Sequence, residues 1–126
     1  MIINQVEKKV RLDRAGIIYF QLMVYCHMNK VHISDHDLSC LTLLGMSGKQ
    51  TLEDFCTLCK VNNIFSSNQS ARNALSKAEK KGLILKEGRN KKKIYLSPSM
   101  NIQTLGNILL DYRIVHLEPV YESQES

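Results

Sequence analysis

Ser66 to Ser97 reads SSNQSARNALSKAEKKGLILKEGRNKKKIYLS, and its interpretation decides the fold. Ser66, Ser67 or Asn68 can each start a helix, because their side-chain oxygens accept from otherwise unpaired backbone N–H groups. Ala71, Ala74, Leu75 and Ala78 recur at i, i+3, i+4 and i+7, which places them on one helical face. Lys77, Lys80 and Lys81 crowd the last turns, where the negative end of the helix dipole favours cations. Gly82 follows, where a residue must turn left-handed to close the helix. Leu83-Ile84-Leu85 and Ile94-Tyr95-Leu96 are strand-like. The polar run from Lys86 to Lys93 lies between them as a hairpin loop, with Gly88 and Asn90 as turn residues. Pro98 ends the second strand.

A polar-faced helix followed by a basic hairpin resembles the recognition helix and wing of a winged helix-turn-helix domain. The run from Arg72 through Leu75, Lys80, Lys81 and Gly82 to Ile84 carries most of the resemblance. Similar segments occur in MarR-like regulators and in small winged-helix proteins of bacteria and their phages. The resemblance implies a mainly α chain with a small β-hairpin, an α+β class. It also implies a winged helix with an extra N-terminal helix and a C-terminal extension. By the same resemblance the helix and wing bind double-stranded DNA. The face opposite the alanines carries Asn68, Gln69, Arg72, Asn73, Ser76 and Lys80, and Asn, Gln and Arg pair bidentately with adenine or guanine edges. Ser67, Ser70 and Lys77 are placed to meet phosphates and set register. Arg89 at the wing tip is expected in the minor groove, with Lys91, Lys92 and Lys93 on the backbone.

The charge distribution points the same way. The chain has 126 residues and a net charge of +5. Residues 60–93 hold ten Lys/Arg and two acids, a net +8, which leaves −3 for the remainder. Concentrated positive charge is the footprint of a polyanion partner, although lysines also simply keep an exposed loop soluble. Apolar content of 44% and charged content of 23% are values of a globular chain. This length suits one domain. The expected organisation is a single domain, 1–126, with an N-terminal helical extension (1–30), a winged-helix core (31–97) and a C-terminal extension (98–126). No run approaches the roughly 18 apolar residues of a spanning helix. The longest, Ile17 to Met28, is interrupted by Gln21 and His27. The first ten residues mix polar and apolar positions and do not read as a signal peptide. No membrane is expected as a partner, and the expected location is the cytoplasm of a bacterial cell or an infected host.

Elsewhere the pattern is uneven. Ile2, Ile3, Val6 and Val10 line one side of either a strand or a helix. Ala15 to Asn29 reads as a helix, with Ile18, Leu22, Tyr25 and Cys26 on one face and Tyr19, Phe20, Met23 and Val24 extending it. A helix so apolar around its circumference is either buried or an oligomer contact. Val31-His32-Ile33 fits a short strand pairing with the wing hairpin. Ser34 with Asp37, and Thr51 with Asp54, are capping patterns that begin two more helices. The second carries Leu52, Phe55, Cys56 and Cys59 at core spacing. Residues 61–66 form the turn into the Ser66 segment, with Ile64 or Phe65 plugging the core. Residues 105–117 are ambiguous. The reading adopted is a short helical turn, then a strand from about 107 to 117, which needs an edge in residues 1–10 or on another subunit. Tyr121 to Ser126 would fray.

Chemistry has little support. Cys56-Thr57-Leu58-Cys59 is a lone CxxC without the second ligand pair that zinc needs. Four cysteines in an intracellular chain read as free thiols. Gly45 to Thr51 only echoes a phosphate loop and lacks its spacing. The four histidines make no triad. No enzyme, metal or cofactor is therefore expected. The expected role is non-catalytic binding of double-stranded DNA, as a small transcriptional regulator or phage DNA-associated protein. The alternative is a protein–protein module in a larger assembly, such as a phage virion or a replication or transcription complex. There the apolar N-terminal helix and the C-terminal strand would hold a partner protein or a second copy.

Overall fold

The computed structural model describes residues 2–6, 12–109 and 112–116. They fall into two units, residues 12–106 and a strand pair drawn from the two chain ends. Four helices and a small three-stranded antiparallel sheet make the chain mainly helical, of α+β class.

In the larger unit the helices are α1 (Arg14–Met28), α2 (Asp35–Ser47), α3 (Leu52–Val61) and α4 (Asn68–Lys80). The strand pair contributes β1 (Ile2–Val6) and β5 (Tyr112–His116), and the sheet contributes β2 (Gln50–Thr51), β3 (Ile84–Glu87) and β4 (Lys93–Leu96). The sheet order is β2-β4-β3. Each helix begins on a side-chain cap. Asp13 accepts from Gly16 N at 2.7 Å, Ser34 from Asp37 N, Thr51 from Asp54 N and Ser67 from Ser70 N, the last three at 3.1 Å. Each cap satisfies a donor the helix leaves unpaired, and losing one costs about 1 kcal/mol. Of the three possible starts at residues 66–68, Ser67 is the one used.

Three helices end in the same way. Lys30, Asn63 and Gly82 adopt φ of +57°, +58° and +77°. Val31 N then donates to Cys26 O at 2.8 Å, Ile64 N to Cys59 O at 2.9 Å, and Leu83 N to Ala78 O at 2.9 Å. This is the 6→1 closure that pairs orphan carbonyls and turns the next apolar residue inward. Leu83 is buried, and Val31 and Ile64 are half-buried against the core, as are Ile33 and Phe65.

This closure corrects the expectation for Val31-His32-Ile33. These residues are not a strand, because the Val31 amide is committed to ending α1. Gln50–Thr51 supplies the third strand instead, with Gln50 opposite Ile94 and Thr51 opposite Lys93. The hairpin is also longer than its apolar triplets imply. Ile84 pairs with Leu96, Leu85 with Tyr95, Lys86 with Ile94 and Glu87 with Lys93. Opposite charges face each other at that last rung, so the ladder runs two residues into the polar run and the loop shrinks to Gly88–Lys92. Gly88 and Asn90 turn it with φ of +90° and +61°.

The core is one cluster. Ile18 and Leu22 from α1, Leu41 and Leu44 from α2, Phe55 from α3, Leu75 from α4, and Leu83, Ile84 and Ile94 from the hairpin are all fully buried. Gly45 lets α2 lie close to α1 and β4. A Cβ there would stand 2.9 Å from Ile18 Cγ2 and 3.0 Å from Leu96 Cδ1. After β4 the chain makes a 3-10 turn at Pro98–Met100, and residues 101–109 have no regular structure. Gln21 holds the start of that segment, donating to Gln103 O at 2.7 Å and accepting from Gln103 N at 2.8 Å.

The smaller unit contains β1 and β5, paired antiparallel with Ile2 opposite His116 and Val6 opposite Tyr112. Of the two edges left open for the C-terminal strand, the one in residues 1–10 is the edge used. The strand is shorter than 107–117, since residues 107–109 lack regular structure. The expectations for Val10 and for Tyr121 to Ser126 lie outside the described residues. Among the described residues, no helix is long and apolar enough to cross a membrane.

Candidate nucleic-acid interface

Helix α4 is built to show a polar face. Ala71, Ala74, Leu75 and Ala78 are buried, and three of these four are alanine, so the backbone of α4 can approach the core closely. The opposite face exposes Asn68, Gln69, Arg72, Asn73, Ser76 and Lys80. From Asn68 to Ala78 this helix carries no acid. The turn before it is anchored, because Phe65 stacks on the His36 ring of α2 with centroids 5.7 Å apart.

Not every cation on the expected surface faces outward unopposed. Lys77 Nζ lies 3.3 Å from the Asp37 carboxylate, whose side chain is only 13% exposed. Lys77 thus ties α4 to the first turn of α2 and serves the fold. Lys81 donates to His32 O, which secures the loop after α1. Lys86 reaches Glu79 at 3.3 Å and joins β3 to the end of α4. Ser67 is occupied as the cap, and its hydroxyl also donates to the half-buried Ser70 hydroxyl at 3.0 Å. Among the expected contact residues, Asn68, Gln69, Arg72, Asn73, Ser76 and Lys80 on α4 and Arg89, Lys92 and Lys93 on the hairpin are exposed, as are Ser67 and Lys77, which are also engaged in the cap and the Asp37 pair. The Lys91 side chain lies outside the described part.

Sequence reasoning missed Lys49. It sits before β2, 4.6 Å from the centre of the Tyr95 ring, and bonds Glu87 at 2.7 Å. Its hydrogen bond holds the Glu87 carboxyl below the ordinary carboxylate range. The contact braces the outer face of the hairpin. Only the cross-strand register reveals it, because Lys49 and Glu87 are 38 residues apart.

The cysteines belong to the core. Cys26, Cys40, Cys56 and Cys59 are all buried and free. Cys40 and Cys59 bring their sulfurs to 4.0 Å. That hydrogen bond together with burial pushes the Cys40 thiol up, and burial pushes Cys56 up. Both therefore stay protonated at neutral pH, as thiols packed in the core, while the same hydrogen bond pulls Cys59 down. Among the described residues no group of three or more His, Cys, Asp or Glu is placed to hold a metal ion. Gly45 to Thr51 is the end of α2, a turn and β2, so the strand that should precede a phosphate loop is replaced by a helix.

No family model, no curated protein and no solved structure matches this chain.

Proposed function

We propose that residues 12–106 form a winged helix-turn-helix that binds double-stranded DNA without catalysis, as a small transcriptional regulator or phage DNA-associated protein. The element order α2-β2-α3-α4-β3-β4 supports the reading, with α4 as recognition helix and the β3–β4 hairpin as wing. One observation carries it. An exposed amide and guanidinium face on α4, without an acid from Asn68 to Ala78, leads through Gly82 into a hairpin that exposes Arg89 and Lys92 at its tip and Lys93 beside it. A DNA groove offers phosphates to the cations and base edges to the amides.

Equilibrium binding to duplex DNA across a salt series tests the reading. Affinity should fall steeply with salt, because each neutralised phosphate releases counterions, with a slope of about −0.9 per phosphate. Affinity that ignores salt overturns it.

A second reading has its own observation. Helix α1 exposes Met23 (43%), Val24 (39%) and Met28 (73%) on a stretch without a charged residue from Ala15 to Asn29. This surface favours a protein–protein module in a larger assembly. Mass in solution by light scattering separates the two. A large species indifferent to duplex DNA favours assembly, and a small species that shifts with DNA favours the DNA reading.

A further inference from the structure

The exposed face of α4 is not uniformly basic, and its layout says more than that a polyanion docks there. Its cations are peripheral. Lys80 lies at the helix end beside Glu79, Lys77 is paired with Asp37, and Arg89, Lys92 and Lys93 lie on the hairpin, whereas the middle of the helix presents Gln69, Asn73 and Ser76 around one guanidinium, Arg72. A surface made only to hold phosphate, or an acidic protein, gains most from positive charge at its centre. Neutral amides at the centre are suited to base edges.

The amides are also oriented. Gln69 Nε2 donates to Asn73 Oδ1 at 2.9 Å, a bond between residues one turn apart. A carbonyl oxygen has two acceptor sites, and this bond uses one. Asn73 therefore keeps an acceptor site and its Nδ2 donors, the pair that matches adenine N6–H and N7. Gln69 restrains the Asn73 side chain, which reduces the entropy lost when it engages a base. Among the described residues, no acid pairs with Arg72. Its forked donors match guanine O6 and N7. Arg72 and Asn73 are consecutive, with Cα atoms about 3.8 Å apart across a trans peptide, comparable to one base-pair step of about 3.4 Å along one DNA strand.

We infer that α4 makes this chain a sequence-specific reader, with Arg72 on a guanine and the Gln69-braced Asn73 on an adenine one or two steps away. The inference rests on the DNA reading above. It assigns the specificity-determining residues, and Gln69 acts as a positioning residue through Asn73.

The full chain is incubated with a pool of random-sequence duplexes at moderate salt, and bound duplexes are sequenced. Affinities are then measured for the enriched duplex and for duplexes altered at single positions. The expected result is an enriched element containing guanine and adenine within two steps. Arg72→Lys keeps the charge but lacks the fork, and should lower discrimination at the guanine by roughly tenfold or more. Asn73→Ala should do the same at the adenine alone. Gln69→Ala should weaken the adenine preference less than Asn73→Ala does, and Gln69→Met, which keeps the length and neutrality but cannot donate to Asn73, should match Gln69→Ala. Circular dichroism checks that each variant is folded. Salt-dependent binding with no enriched element overturns this inference and leaves the DNA reading standing. Enrichment that Arg72→Lys and Asn73→Ala leave unchanged also overturns it. Failure to retain any duplex at low salt overturns both.

Discussion

Helices α1 and α4 are nearly equal in length and opposite in surface. The first spans 15 residues and the second 13. Helix α1 buries Ile17, Ile18, Leu22 and Cys26, and still exposes Met23, Val24 and Met28. Helix α4 buries three alanines and a leucine, and exposes polar groups around the rest of its circumference. The difference teaches what each helix contributes. Helix α1 supplies bulk to the core and has apolar surface to spare. Helix α4 contributes little volume, and its small side chains let its backbone sit close while its outer face stays polar and exposed.

Experiments that break this contrast can be ordered by expected size. Leu22→Ala in α1 and Leu75→Ala in α4 remove side chains that are 0% and 1% exposed. Each should cost about 2–5 kcal/mol in urea unfolding. A much smaller loss for Leu75→Ala would mean that α4 is held by its alanines and ion pairs alone. Next comes the wing. Replacing Arg89, Lys92 and Lys93 together by Glu should weaken binding to all duplex sequences and flatten the salt slope by about 0.9 for each phosphate no longer neutralised. Stability should change little at exposed Arg89 and Lys92, while Lys93→Glu should destabilise the hairpin slightly by setting like charges opposite each other with Glu87. An unchanged slope would move the phosphate-binding groups off the hairpin.

Smaller effects sharpen the comparison. Ser67→Ala removes the cap of α4 and should cost about 1 kcal/mol in the same unfolding experiment. Met23→Ser with Met28→Ser should leave stability within about 0.5 kcal/mol per site, as expected of exposed positions. If light scattering then shows a drop in mass, the α1 face is a contact between chains. The smallest effect concerns Lys49. Its bond to Glu87 lowers that carboxyl, so the pair stabilises the hairpin at neutral pH and the contribution is lost as pH falls through the carboxylate range. In Lys49→Ala the Glu87 midpoint, followed by NMR, should move up toward its ordinary value.

The α4 segment is legible in the sequence because its signals are local. Ser67, the alanine spacing and Gly82 all act within one or two turns. The α2 and α3 starts are readable for the same reason, through Ser34 and Thr51. Long-range facts are hidden. Nothing near Lys77 announces Asp37, 40 positions earlier, so the ion pair by which Lys77 braces the fold is not readable from the sequence. Strand β2 is two residues long and has no periodicity to read. Val31 and Ile33 are strong strand formers, but a left-handed Lys30 and the Val31 amide bond to Cys26 outweigh that preference. Helix α1 is visible as a helix, and the face with Ile18, Leu22, Tyr25 and Cys26 is the one it buries, but because apolar residues surround it the pattern does not show that Ile17 joins that face while Met23 and Val24 stay exposed.

The repeated left-handed closure at Lys30, Asn63 and Gly82 has a consequence for how the chain can change in length. Connections between helices are usually where a protein tolerates insertions. In this chain the residue directly after each closure is the one turned toward the core: Val31, Ile64 and Leu83. One extra residue at any of these points would put a different side chain at the core position and displace the apolar one. Single-residue insertions at these three corners should therefore be rejected, whereas the Gly88–Lys92 tip of the hairpin should accept them.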